Sequence, residues 1–406
     1  MNEMNNKGAK SFLIEKLFIG MSIRKYIKTL ITPINIAAGV LILITIIFIL
    51  IRYIKGIGSL GEASNDTPWG SLIGFNVLSV EALAAGGYTI CTAVYVFRMK
   101  RFYPFVRAAI LSAFIGYFTV VVALLIDLGR PWRLPYPVFY SFGVTSVMFL
   151  VGWLVCLYLL TQFLEFSPAI LEWLNMKRLR NWVEKFAIGL TILGIVLAVL
   201  HQSALGGLFL IAPDKLHPLW YSPFLPVFFF ISSIASGISM VILMSGLSIR
   251  FFKDKLDHHF KANLRELTIS LGKAASVVLF TYFGLKIMGI AHGHNWNLLN
   301  TPYGYWFLVE IFVFVLFPCF LFLLGVRKKS VSLIRFTSII TIIGIIINRI
   351  NVTIITFNWK LNERSYPNWK ELLISFTIIV AAVLAFRWIV NRMPVLREHP
   401  DYKYID

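Results

Sequence analysis

Charged residues are scarce in this sequence. Only 14% of the 406 residues are Asp, Glu, Lys or Arg, whereas 58% are hydrophobic. A soluble domain carries about a quarter of its residues as charged side chains, which cover its surface. The shortage therefore excludes an ordinary soluble globular protein. The apolar residues occur in long runs instead, and a run of about 20 residues spans the ~30 Å hydrocarbon core of a membrane as a helix.

Cysteine is scarce too, and the few that occur are far apart. Cys91, Cys156 and Cys319 each lie in an apolar run, and no Cys-x-x-Cys motif is present. The sequence therefore predicts buried thiols, no metal site and no iron–sulfur cluster in this chain.

Acidic residues are half as frequent as basic ones, 19 against 38, which gives a net charge of +19. In a soluble protein such a balance would suggest nucleic acid. No Arg-rich or RNP-type motif supports that interpretation, and in a membrane protein basic residues mark the cytoplasmic loops. We expect membrane lipid around the chain and no nucleic acid.

The apolar runs predict an all-α integral membrane protein, because in lipid every backbone N–H and C=O must be paired within its own segment. Residues 1–33 are polar and basic, without the short apolar core of a cleavable secretory signal. We expect a cytoplasmic segment at 1–33, one polytopic membrane domain at 34–391 and a cytoplasmic tail at 392–406. The ten predicted spans are approximately 34–54, 70–97, 104–127, 143–166, 184–205, 223–247, 266–291, 304–325, 331–352 and 369–391.

The distribution of Lys and Arg predicts the orientation. Assigning alternate loops to one side collects 26 basic residues there, against nine on the other side. The positive-inside rule then puts both termini in the cytoplasm. We expect the chain in a bacterial inner (cytoplasmic) membrane. The outer loops, led by 128–142 and 206–222, are rich in Pro, Gly and aromatic residues, a composition suited to packing on another protein.

Ionisable residues within spans are the first candidates for function, since each costs on the order of 2.5–3.5 kcal/mol at a helix centre. Glu81 lies 11 residues into its predicted span, roughly 16 Å deep. The others are expected at the outer ends of their spans, apart from Lys273 and Arg387, which can extend to the inner surface. Candidates on the outer side are Asp127, His201, Gln202, Lys286, His292, Glu310 and Arg349, with Asn76 as a further polar candidate.

Each candidate also has a structural interpretation. Asp127 can form an ion pair with Arg130 or Arg133 that only holds a loop, and His201 can be a core histidine bonded to a carbonyl. Glu81 has no such explanation at its depth, so the sequence favours a role in proton transfer.

A quinone would use such a cluster. Its head group needs a hydrogen-bonding partner for each carbonyl oxygen and a proton for each electron, and histidine can donate in one redox state and accept in the other. A transmembrane haem b would need two axial ligands that face each other, usually histidines. Only His201 lies clearly within a span, so no haem is expected.

Eight segments spread along the chain form a recognisable set of motifs. They are Trp69-Gly70, Gly74-Phe-Asn-Val-Leu78, Ala82-Leu-Ala-Ala-Gly-Gly-Tyr88, Asp127-Leu-Gly-Arg-Pro-Trp-Arg133, His201-Gln-Ser-Ala-Leu-Gly-Gly-Leu-Phe209, Leu216-His-Pro-Leu-Trp-Tyr-Ser-Pro-Phe-Leu-Pro226, Asn348-Arg-Ile-Asn-Val352 and Arg392-Met-Pro-Val-Leu-Arg-Glu-His-Pro400. These segments resemble the NrfD/PsrC superfamily of membrane proteins, and the two that begin at His201 and Leu216 resemble its HybB-like branch, the membrane subunits of hydrogenase-2-type enzymes. The resemblance covers nearly the whole chain.

The resemblance implies two four-helix bundles with two flanking helices, and a menaquinone or ubiquinone site near the outer face. It implies electron exchange with a periplasmic ferredoxin-like iron–sulfur or multihaem cytochrome subunit and a catalytic subunit, of hydrogenase, molybdoenzyme or cytochrome type. No haem is implied in this subunit. The matched motifs carry Asp127, Arg130, Arg133, His201 and Gln202 to the quinone side.

Glu81 has no matched position in the family pattern, so its role in proton transfer, shared with Glu310, rests on depth. The expected arrangement has His201 on a quinone carbonyl, Asp127 with Arg130 or Arg133 setting its protonation, and Glu81 passing protons deeper in the bilayer.

Two other functions fit parts of the sequence. Ten helices, a mid-membrane Glu81 and a faint parallel repeat of spans 2–5 and 6–9 also suit a proton-coupled secondary transporter. Against it, the polar groups concentrate on one side. A purely structural anchor is disfavoured by the buried ionisable residues.

Overall fold

The computed structural model describes residues 15–60, 68–256, 258–361 and 366–396. The ends of the predicted terminal segments, 1–14 and 397–406, lie outside the described residues. Ten helices in the described part are long and apolar enough to cross a membrane. They are α1 (Pro33–Lys55), α2 (Leu72–Val96), α3 (Lys100–Asp127), α4 (Val147–Trp173), α5 (Ala187–Ile211), α6 (Leu225–Phe251), α7 (Asn263–His292), α8 (Pro302–Arg327), α9 (Val331–Ile355) and α10 (Trp369–Arg392).

Local sequence signals start several of these helices. Thr32 precedes α1, its side chain accepts a hydrogen bond from the backbone N–H of Asn35, and Pro33 occupies the first helical turn. Thr301 caps α8 in the same way, with Pro302 next to it. Asn368 caps α10, which begins at the predicted Trp369. The prediction of ten membrane-spanning helices is confirmed.

The helices pack as two bundles of four. Helices α2, α3, α4 and α5 contact one another in a ring, and α6, α7, α8 and α9 form a second ring. The flanking α1 and α10 pack on each other, and α10 lies against α2 and α3. The bundles meet where Gly86 of α2 lies against Gly237 of α6; a Cβ at Gly237 would come within 2.6 Å of the Gly86 backbone nitrogen. Ser236 Oγ donates to the carbonyl of Ala82 at this contact, at 2.6 Å.

Two helix ends differ from the sequence prediction by more than four residues. Helix α4 continues past residue 166 and through Pro168 to Trp173. Helix α5 continues past residue 205 and closes with a 3-10 turn at Leu208–Ile211. Glycine pairs are typical of helix ends, but Gly206 here allows close packing instead, since a Cβ on it would lie 2.5 Å from the carbonyl oxygen of Leu225.

Some of the spanning helices contain π-helical turns, which often occur at functional sites. They lie at Leu72–Val77 and Thr92–Val96 in α2, at Phe312–Leu316 in α8 and at Asn351–Ile355 in α9. The cysteines are free thiols; Cys91 and Cys319 are buried as predicted, but Cys156 is exposed on the outside of the helices.

Candidate functional site

A buried carboxyl–imidazole pair lies inside the first bundle. Glu81 of α2 and His201 of α5 are 1% and 0% exposed, and Glu81 Oε1 lies 3.7 Å from His201 Nε2. Neither oxygen of Glu81 has a hydrogen-bond partner, and neither has His201 Nε2. A buried polar group without a partner costs about 1–3 kcal/mol, so the arrangement is expensive for packing alone.

The two side chains meet because they lie at the same depth. Glu81 is nine residues from the start of α2 and His201 is ten residues from the end of α5. At 1.5 Å per residue both lie about 14–15 Å from that end of their helices. The predicted end of the fifth span at residue 205 had put His201 nearer the surface than it is.

Two tyrosines extend the site away from Glu81. The Tyr117 hydroxyl of α3 lies 3.4 Å from His201 Nδ1, the ring nitrogen opposite Glu81. Tyr117 packs edge to face on Tyr158 of α4, with ring centroids 4.3 Å apart. Both are fully buried, and Gln202 lies beside the Tyr117 hydroxyl. All four helices of the first bundle therefore contribute to one polar centre.

The second bundle holds its own buried carboxylate, Glu310 of α8, which is fully hydrogen-bonded. Trp220 Nε1 and Asn348 Nδ2 each donate to it at 2.7 Å, and Asn351 donates as well. Lys286 Nζ of α7 forms an ion pair with it at 3.5 Å. Trp220 comes from the loop after α5, so that loop folds inward and completes this cluster.

Arg349 of α9 lies between the two clusters. Its guanidinium donates to Asn348 Oδ1 and to Ser232 Oγ, both at 2.8 Å, and lies 3.7 Å from the centre of the Phe229 ring. It also acts electrostatically on the carboxyl groups of both Glu81 and Glu310. Arg349 is 0% exposed, so this charge is desolvated and its field is weakly screened.

Asp127 has a different partner from the one the sequence suggested. Arg52 of α1 pairs with it at 3.3 Å and donates to the backbone carbonyls of Asp127 and Ile126 at 2.6 and 2.8 Å. These bonds join α1 to the end of α3. Among the described residues no hydrogen bond or ion pair connects Asp127 to His201, Arg130 or Arg133, so its contacts are those of a structural ion pair.

The remaining candidates are separate from the buried pair. Arg130 and Arg133 are exposed, and Arg133 lies over the Tyr136 ring. His292 is exposed at the end of α7 beside Phe224. Asn76 is buried and donates to the backbone carbonyl of Ser375 at 3.0 Å, which ties α2 to α10.

Sequence reasoning missed three aromatic residues of these clusters and one further carboxyl. Tyr117, Tyr158 and Trp220 are aromatic residues of an ordinary kind in a membrane protein, and nothing in their spacing distinguishes them. Glu165 carried a usable signal, because it is an ionisable residue within a predicted span. That span was predicted to end at residue 166, whereas in the longer α4 Glu165 lies eight residues inside the helix. In the described part of the chain, no group of three His, Cys, Asp or Glu side chains is arranged to hold a metal ion.

Comparisons with known proteins agree with this architecture. Residues 60–359 match the family model described as polysulphide reductase, NrfD. A protein of Nitratidesulfovibrio vulgaris is 49% identical over 93% of this chain and 97% of its own length. The probable Ni/Fe-hydrogenase 2 b-type cytochrome subunit of Escherichia coli is 29% identical over 88% and 91% of the two chains.

A more distant relative is the integral membrane subunit of the menaquinone reductase of N. vulgaris. It is 24% identical over 80% of this chain and 82% of its own. The family match covers most of the chain and includes both buried clusters. The chain belongs to the polysulphide reductase NrfD family and is a multi-pass protein of the bacterial inner membrane.

Proposed function

We propose that the chain is the quinone-reactive membrane subunit of a respiratory oxidoreductase complex, and that Glu81 and His201 form its quinone and proton site. The observation that carries the proposal is the buried pair itself. A carboxyl and an imidazole face each other at 3.7 Å with their facing atoms unpaired. Groups left without partners in a well-packed interior suit a ligand oxygen and a transferable proton.

The names of the relatives support the class of reaction. One is a subunit of a menaquinone reductase and another a subunit of a Ni/Fe-hydrogenase. Neither of these names describes a transporter. The enclosure of the polar centre within one bundle also disfavours the transporter interpretation.

The chemistry follows from the two ring nitrogens of His201. Nδ1 is engaged by the Tyr117 hydroxyl, which holds the ring in place and leaves Nε2 for the quinone carbonyl oxygen. Glu81 next to Nε2 can take or give the proton that accompanies each electron. Gln202, beside Tyr117, can contribute a second polar contact.

Glu310 is the second candidate for proton transfer. Asn348 joins it to Arg349, whose charge also acts on Glu81. A change of protonation at one carboxyl would therefore alter the other through Arg349. Lys286 belongs to the same network as the counter-ion of Glu310.

The partner we propose is a periplasmic electron-transfer subunit, of iron–sulfur or multihaem type, which connects this chain to a catalytic subunit. The segment 128–146 suits its docking, because Trp132, Phe139 and Tyr140 are 66%, 75% and 80% exposed. Arg130 and Arg133 lie exposed in the same segment. We therefore favour a docking role for these two arginines over a place beside the quinone.

A photoreactive quinone tests the site directly. An azido-naphthoquinone bound to the intact complex and then illuminated should label peptides of α2 or α5 around Glu81 and His201. Excess unlabelled quinone should abolish the labelling. Competable labelling confined to helices of the second bundle would contradict the proposed site.

A further inference from the structure

A cavity of about 320 Å³ lies at the ends of α3, α4 and α5 opposite the outer loops, with several polar side chains in a mainly apolar lining. This volume holds roughly ten water molecules at their share of the liquid. It lies at the end where basic residues cluster, which the sequence predicts to be cytoplasmic. The polar residues that line it are Tyr95, Tyr103, Arg107, Glu165, Glu184 and Thr191.

Glu165 is the carboxyl of this cavity that reaches furthest into the membrane. It lies eight residues before the end of α4, about 12 Å along the helix. Gln162 Nε2 donates to it at 3.2 Å, and Thr191 of α5 shares a hydrogen bond with it. Gly194 leaves space at the carboxyl, since a Cβ there would lie 3.3 Å from Glu165 Oε2.

The same face of α4 continues from Glu165 towards His201. Gln162 and Tyr158 follow at helical spacing, and they are 1% and 0% exposed. The Gln162 Oε1 and the Tyr158 hydroxyl are both buried without a hydrogen-bond partner. Tyr158 packs on Tyr117, and the Tyr117 hydroxyl contacts His201 Nδ1. Polar groups therefore lead from the cavity to the buried pair.

We propose that the cavity, Glu165, Tyr158 and Tyr117 form the proton route between the predicted cytoplasmic side and the Glu81–His201 pair. The inference rests on the proposed function. Reduction of one quinone to its hydroquinone consumes two electrons, supplied by the iron–sulfur or haem partner, and two protons. We assign both protons to this route. Each hydroxyl passes its proton onward as it receives one from the group behind it, so that no charge stays on a tyrosine. Quinol oxidation would run the same transfers backwards.

Proteoliposomes that contain the intact complex provide the test. Electrons come from reduced benzyl viologen, the acceptor is a short-chain naphthoquinone, and the rate in protein-free vesicles is subtracted. A pH dye in each compartment reports the side of proton uptake, and a tag fused behind α10 reports the orientation of the complex. The wild type should take up its protons from the side of the tag.

Glu165→Gln should slow turnover about a hundredfold or more, since a positioned proton-transfer group typically contributes about 10²–10⁴-fold. The KM for quinone should stay unchanged, and Glu165→Asp should restore part of the rate. Glu266→Gln is the matched control, since this exposed carboxyl lies on the same side and pairs with Arg101 outside the cavity. It should behave as the wild type does.

Tyr158→Phe removes only a hydroxyl, so it tests the route even if Glu165→Gln fails to assemble. This variant should also slow proton uptake from the side of the tag. If His201→Ala is slow but an assembled Glu165→Gln or Tyr158→Phe variant keeps the wild-type turnover rate and the wild-type side of proton uptake, the proposed route is wrong. Normal turnover in His201→Ala would overturn the proposed function itself.

Discussion

Glu81 and His201 face each other inside the first helix bundle with 3.7 Å between Oε1 and Nε2, although they come from different helices and both are buried. The sequence analysis had placed them at different depths, with His201 at the outer end of its span and Glu81 deeper in the bilayer. Their contact moves the centre of the proposed chemistry from the membrane surface to about 14–15 Å below the outer helix ends.

Glu81→Gln should slow quinone turnover at least about tenfold and leave the quinone KM nearly unchanged, because the amide keeps the shape of the side chain but cannot carry a proton. Steady-state rates of the purified complex at varied quinone concentration measure both quantities. Combining Glu81→Gln with His201→Ala should cost less than the sum of the single effects, since the two groups act on one reaction. Full turnover in Glu81→Gln would exclude it as the proton carrier.

Arg52→Ala should destabilise the protein without changing its chemistry. The guanidinium is 5% exposed and bonds two backbone carbonyls and the Asp127 carboxylate at the end of α3. Bonds to a charged group are worth about 1.5–3 kcal/mol, so the midpoint of thermal unfolding in detergent should fall. Arg130→Ala, at an exposed position, serves as the control and should leave the midpoint unchanged. An unaltered midpoint in Arg52→Ala would refute the structural assignment of the Asp127 pair.

The purified chain, freed of its partners, should carry no haem. A haem b within the membrane needs two axial ligands that face each other, and the neighbours of the His201 ring are Glu81 and Tyr117. A reduced-minus-oxidised spectrum checks this prediction. Haem b bands that copurify with the isolated chain would contradict this prediction. They would agree with the words "b-type cytochrome" in the name of the Escherichia coli relative.

A photo-cross-linking residue at Phe139 should capture the electron-transfer partner in intact cells. Phe139 is 75% exposed in the segment 128–146. The same cross-linker at Phe97, which is 69% exposed at the opposite helix ends, is the matched control and should not capture it. Capture from Phe97 and none from Phe139 would place the partner on the other side of the membrane.

Much of the fold could be predicted from hydropathy, because the lipid forces each apolar run into a helix. The spans were placed to within a few residues except where a signal was ambiguous. The fifth span was predicted to end at 205, just before Gly206, but Gly206 instead allows the helix to pack closely against the Leu225 backbone of α6. Pro168 lies inside α4, where the predicted span had already ended at residue 166.

The site was harder to predict, since hydropathy reports depth and not the direction in which a side chain faces. His201 and Glu81 were both identified as candidates, but their contact depends on how α2 and α5 are rotated within the bundle. Asp127 was assigned to the same site because it ends a span on the outer side within a matched family motif, whereas its partner Arg52 belongs to a helix that is distant in sequence. Glu165 was overlooked because the predicted end of its span made it seem a surface residue.

The central claim is that His201 Nε2 bonds the quinone, and quinone-dependent turnover of His201→Ala tests it most directly. Losing that bond should cost about 1.5–3 kcal/mol, or roughly ten- to a hundredfold in rate. Subunit levels checked by blot should be normal, and if they are not, His201→Gln provides a closer replacement in size. His294→Asn is the control, because His294 is exposed and its left-handed backbone tolerates Asn. The account predicts slow turnover in an assembled His201 variant; a wild-type rate in that variant would contradict it.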